Sequence, residues 1–118
     1  MKDLPAFLLN ASDLMMETNG FTCSELGAYL RLLLSEWVNG PLPSDVNKLA
    51  RKCGIPASMF KKMWLATVNF KFEANGNGTL ISPWLEQIRE RQRKYQELQS
   101  KKGKRSAEVR QEKGTATA

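Results

Sequence analysis

The spacing of apolar side chains changes along the chain, and each change predicts an element. Thr22-Cys23-Ser24-Glu25 has the spacing of a capping box, with Phe21 placed to staple against Leu26 one turn in. Leu26, Tyr29, Leu30, Leu33 and Trp37 then recur at helical spacing and predict a helix over 22–39, ended by Asn39-Gly40-Pro41. Gly27 is unusual inside such a helix, where it costs about 1 kcal/mol against Ala; close approach of another backbone is the expected reason. Ser44 is the expected N-cap of a second helix over 44–53, with Asp45 on the positive end of its dipole. Val46, Leu49, Ala50 and Cys53 form its inner stripe, while Lys48, Arg51 and Lys52 point elsewhere. Gly54-Ile55-Pro56 leads into a third helix over 57–67, with Met59, Phe60, Met63 and Trp64 inward.

The period then falls to two. Val68, Phe70 and Phe72 alternate with Asn69, Lys71 and Glu73, which predicts a half-buried strand. Asn75-Gly76-Asn77-Gly78 is a turn signal and Thr79-Leu80-Ile81 the returning strand, so a hairpin is expected over 68–82 and no strand ahead of residue 60. Ser82-Pro83 opens a last helix that Trp84, Leu85 and Ile88 dock on the body. Beyond Ile88 only Tyr95 and Leu98 are apolar, and Glu90 with Lys94 supports continued helix. Lys101-Lys102-Gly103-Lys104-Arg105 is expected to end it, and Gly114 to Ala118 to fray. The fold class is therefore mainly α with a β-hairpin (α+β), a winged helix-turn-helix. Its domain is expected over residues 1–85, with a long basic C-terminal helix and tail over 86–118.

Charge sharpens this division. The 118 residues carry 18 Lys and Arg against 12 Asp and Glu, a net of +6. Residues 1–85 hold eight basic and seven acidic side chains, and residues 86–118 hold ten and five. A nearly neutral body with a basic appendage points to a polyanion, nucleic acid before membrane. With no histidine in the chain, His-based catalysis and His metal sites are excluded. Cys23 and Cys53 stand thirty residues apart with no further ligand pattern, so reduced thiols and no metal or cofactor are expected. Leu4 to Leu9 is too short for a signal segment, and no apolar stretch approaches the roughly 20 residues of a membrane span. A cytoplasmic location follows. No catalytic constellation is present, and the chain reads as a non-enzyme.

Two features carry the candidate chemistry. With Met59, Phe60, Met63 and Trp64 inward, Ser58, Lys61 and Lys62 face out from the helix that would enter a major groove. The tail offers Arg89, Arg91, Arg93, Lys94, Lys101, Lys102, Lys104 and Arg105 as phosphate contacts, and Lys71 on the hairpin strand adds one more. Trp37, Trp64 and Trp84 sit on core stripes and read as packing residues rather than base-stacking platforms. Since the tail holds most of the charge, truncation after Gln87 is expected to remove most non-specific DNA affinity and leave the fold intact, with a modest drop in stability as Ile88 is lost.

One stretch also carries a resemblance. Glu25-Leu26-Gly27-Ala28-Tyr29-Leu30-Arg31-Leu32-Leu33, followed by Trp37, Gly40, Leu42-Pro43 and Asp45, resembles the YdaU-like family of phage and prophage proteins. Leu49-Ala50, the segment from Phe70 to Leu80 and the basic run Lys101 to Arg105 are similar to later parts of that family. Leu4 to Leu14, with Asp13, looks like its opening, although the aromatics expected there are missing. The resemblance implies a winged-helix domain associated with phage replication, without enzyme activity. The resemblance does not choose among DNA, a helicase, a helicase loader and a host protein as partner. The charge and the helix-turn-helix make duplex DNA, more than single-stranded DNA, the expected partner, with a replicative helicase, a helicase loader or another replication protein beside it, in the cytoplasm of a bacterial host. A protein-binding adaptor or inhibitor of a replication or host defence protein is the alternative, and a transcriptional repressor a third.

Overall fold

A computed structural model describes the backbone of residues 6–117 and the side chains of residues 6–101. The chain opens with a short helix that the apolar pattern does not announce, α1 (Ala11–Glu17), capped by the Asn10 side chain, which accepts from the Asp13 amide at 3.1 Å. None of its residues is buried, so it carries no stripe to read. Helix α2 (Cys23–Asn39) starts at the capping box: the Thr22 amide donates to Glu25 Oε1 at 2.7 Å and the Glu25 amide to Thr22 Oγ1 at 3.1 Å. Gly40 closes it at φ 87°, a conformation open to glycine at little cost. The Phe21 ring rests edge-on against Tyr29, 5.7 Å between centroids.

A two-residue strand, β1 (Leu42–Pro43), follows and overturns the expectation of no strand before residue 60. Two residues are too few for any periodicity to show, and Pro43 is tolerated because β1 lies at the sheet edge. Helix α3 (Val46–Cys53) begins one residue later than expected. Asp45, not Ser44, is its N-cap, accepting from the Asn47 amide at 2.8 Å, while the Ser44 amide bonds to the Gly78 carbonyl. Gly54 ends α3 in the left-handed conformation, and α4 (Ala57–Ala66) follows at once.

The expected strand over 68–73 is mostly a 3-10 turn, Val68–Lys71. Its cause is local. The Asn69 side-chain amide donates to the Trp64 and Leu65 carbonyls, capping the end of α4 and holding the chain in a helical sense. Val68 and Phe72, one helical turn apart, are still buried, but Phe70 between them is 75% exposed. Only Glu73–Ala74 (β2) pairs with Thr79–Ile81 (β3), and β3 pairs in turn with β1, giving an antiparallel sheet ordered β1-β3-β2. Leu80 lies opposite both Leu42 and Ala74, so it fixes the register of the three strands.

The architecture is thus mainly helical with a small antiparallel sheet. Tyr29, Leu32, Leu33, Leu42, Leu49, Phe60, Val68 and Leu85 are fully buried at its centre. Phe21, Tyr29, Phe72, Trp64 and Phe60 form a chain of ring contacts with centroids 5.7 to 5.8 Å apart, joining α2, α4 and the segment after it. Met59, expected inward, is 48% exposed, and Ala28 and Leu32 of α2 take core places instead.

Helix α5 runs from Pro83 to Thr117. It does not end at Lys101–Arg105, nor fray from Gly114 as far as Thr117; Ala118 lies outside the described residues, as do Leu4 and Pro5. A single Gly103 costs about 1 kcal/mol in a helix, too little to stop it by itself. Among the described residues no helix is long and apolar enough to cross a membrane.

Gly27 departs from expectation too: it is exposed, and a Cβ there would meet nothing within 4 Å. No close backbone approach explains it. Gly27→Ala should therefore raise stability by about 0.5–1 kcal/mol. Urea unfolding should show a higher midpoint at unchanged slope.

Candidate nucleic-acid interface

The position of α5 is set by a buried polar cluster. Glu36 of α2 is fully buried, and its Oε1 accepts from the Ser82 amide at 2.8 Å, the residue that leads from β3 into α5. Ser82 Oγ in turn accepts from the Leu85 amide at 3.2 Å, capping α5. Arg89, one turn further on, is only 4% exposed. Its guanidinium donates to Glu86 Oε1 at 3.1 Å and to the carbonyls of Glu36 and Trp37 at 3.2 and 3.4 Å, and lies 4.4 Å from the centre of the Trp37 ring. The C-terminal carbonyls of α2 are thereby capped by a cation on α5.

Two carboxyls and one guanidinium cannot balance without a proton. Burial, then the neighbouring Glu86 carboxyl, push Glu36 up to about 9, against the opposing pull of the Ser82 amide and Arg89. Glu36 Oε2 is buried without a hydrogen-bond partner. That is tolerable for a neutral acid and costly for a carboxylate. The neutral acid is thus the form of Glu36 that this buried site favours, beside Glu86 and Arg89.

This geometry redistributes the sequence candidates. Arg89 is not a phosphate grip; it is a buried fastener, and truncation after Gln87 would remove it. Gln92 is also structural, since Leu8 donates its amide to Gln92 Oε1 at 2.7 Å and Gln92 Nε2 donates to the Ala6 carbonyl at 2.9 Å. The body therefore reaches at least to Gln92. Lys71 lies on the 3-10 turn rather than a strand, half-buried, 3.5 Å from Glu17 and 6.0 Å from the Phe21 ring centre. Glu17 also accepts from the Tyr29 hydroxyl at 3.2 Å, and burial with Glu17 nearby raises the phenol above its ordinary range. Arg93 pairs loosely with Glu90 at 3.6 Å. Arg91, Lys94 and Lys101 are exposed along α5, and the side chains of Lys102, Lys104 and Arg105 lie outside the described residues.

Ser58, Lys61 and Lys62 stand exposed on α4. The sequence reading missed their neighbours: Lys48, Arg51 and Lys52 are exposed on α3, at the three- and four-residue spacing that puts them on one face. None of these five cations is ion-paired among the described residues. Residues 44–67 hold one acid, Asp45, which caps α3. The turn tip at Asn75–Gly78 is exposed and carries no charge.

The remaining reactive groups are quiet. Cys23 is exposed; Cys53 is buried, with Sγ 3.5 Å from the Ala28 carbonyl and its thiol pushed up to about 11 by burial. Glu25 accepts from the Thr67 hydroxyl and from the Thr22 amide, which hold its carboxyl below the ordinary range. Among the described residues no three Cys, Asp or Glu gather where a metal ion could be held. No family model, curated protein or solved structure matches this chain.

The cluster predicts a pH dependence of known sign. Glu36 binds its proton more tightly folded than unfolded, so this stabilisation is full below pH 4.5, falls as pH rises, and is gone above about 9. Relative to Glu36→Gln, which keeps the neutral amide shape, the wild type should lose stability across that interval with a slope of about one proton. Chemical unfolding at a series of pH values reads it; parallel curves for the two proteins would contradict the cluster as described.

Proposed function

We propose that this chain is a non-enzymatic winged-helix protein that binds duplex DNA through α3 and α4. The observation that carries the reading is the set of five exposed cations on these adjoining helices, none ion-paired among the described residues, against a single acid. The order α2, β1, α3, α4, β2, β3, with β1 closing on β3, supports the winged-helix reading, in which α4 takes the groove-facing place. Lys48, Arg51 and Lys52 would lie against phosphates beside it, and Lys61 and Lys62 would meet the groove or its edges. The exposed basic side chains Arg93, Lys94 and Lys101 of α5 would add sequence-independent grip. The resemblance to YdaU-like phage proteins, and with it a role in replication, rests on the stretch from Glu25 to Asp45.

A second reading has its own observation. Leu65, one turn beyond Lys61 on α4, is 64% exposed, and Phe70 just after the helix is 75% exposed. Apolar groups beside the lysines suit a protein partner, as an adaptor of the replication machinery would have.

Titration of labelled duplex and single-stranded DNA at two salt concentrations separates the readings. Duplex binding should be tighter and should weaken steeply with salt. Lys48→Ala with Lys52→Ala should flatten the log–log salt slope by about two units, at roughly 0.9 per phosphate contact. Truncation after Ser100, which spares Arg89 and Gln92, should lower affinity while leaving any duplex preference in place. Unchanged duplex binding by the double variant, with loss of function on Leu65→Ser, would move the assignment to the adaptor.

A further inference from the structure

A groove of 720 Å³ runs between residues 8–13 and α5, on residues that the nucleic-acid reading leaves almost unused. Its wall is built in. The Gln92 carboxamide holds the backbone at Ala6 and Leu8, and the Phe7 ring packs 5.0 Å from Trp37, so Leu8 is turned outward. Leu8 is 76% exposed, Leu9 44% and Tyr95 62%, and half-buried Trp84 lines the groove with them. Helix α1, which forms one end, buries none of its own residues and exposes Met15 and Met16. The lining of the groove is mainly apolar.

The charges on the groove say which partner. Asp13 and Arg91 both line it, both are exposed, and neither makes an ion pair among the described residues. One cation and one anion give no net charge for a polyanion to seek. They do make the surface its own complement under two-fold symmetry, where residue i meets residue j and j meets i. We infer that this groove is the face through which two copies of the chain pair, Arg91 of each set against the partner's Asp13, with Leu8, Trp84 and Tyr95 meeting at the centre. The pairing is independent of whether α3 and α4 bind DNA. It also gives the apolar side of α5 an occupant: Tyr95 projects from the helix just where the body ends, and a second copy would cover it.

Sedimentation of the full chain over a wide micromolar range tests this. The wild type should be a dimer. Tyr95→Ala should weaken it at least about tenfold, as loss of a central aromatic does. Arg91→Asp and Asp13→Arg should each be monomeric alone, and mixing the two should restore a one-to-one dimer, since one chain then carries only acids and the other only bases at these positions. Both changes are on exposed side chains, and circular dichroism checks that the fold is kept. A wild type that stays monomeric overturns the inference, whatever else the groove binds. So does a dimer that neither reversal weakens, or reversed chains that do not pair when mixed.

Discussion

The structure depends on how a charged helix is fastened to an apolar body. Among the described residues, Leu85 is the one fully buried side chain that α5 contributes, which is a thin hold for an element of 35 residues. The fastening is completed by Glu36, Ser82, Glu86 and Arg89, in which burial favours the neutral form of Glu36 and Arg89 caps the carbonyls at the end of α2. A buried ion pair alone often fails to offset its desolvation. Here the guanidinium also satisfies two carbonyls and covers Trp37, so the same group serves helix capping, charge balance and packing. Trp37 in turn seats Phe7, and Gln92 seats the backbone around it. The direction of α5, the end of α2 and the N-terminal wall of the groove all follow from this one junction.

Local signals were legible in the sequence where their chemistry is local. The capping box at Thr22 and Glu25, the glycine ends at Gly40 and Gly54, and the Asn-Gly turn are each complete within four or five residues. The 3-10 turn at Val68 was not legible, because one helical turn and two steps of alternation put Val68 and Phe72 on the same side. Only the Asn69 contacts to α4 decide between them. Strand β1 has two residues and no pattern, and its existence depends on Leu80 lying opposite, far along the chain.

The site shows the same division. Lys61 and Lys62 followed from the inward stripe of α4, and the same logic applied to α3 would have added Lys48, Arg51 and Lys52. Arg89 was misjudged because a basic run invites one reading for all its members. Two clues stood against it: Arg89 is four residues after Leu85, on the docking stripe, and Glu36 sits between Leu33 and Trp37, on the apolar face of α2. An acid on one buried stripe and a base on another are more economically read as partners than as two exceptions.

The protein carries two distinct surfaces. One is basic, on α3 and α4; the other is mainly apolar with one acid and one base, between the N-terminal segment and α5. The most direct measurement is a carbon-detected NMR titration of the Glu36 and Glu86 carboxyls in the full chain. Glu36 should keep its proton through neutral pH and titrate near 9. A Glu36 midpoint in the ordinary range near 4.5 would mean an exposed or separately paired carboxylate, and would contradict the junction on which the account rests.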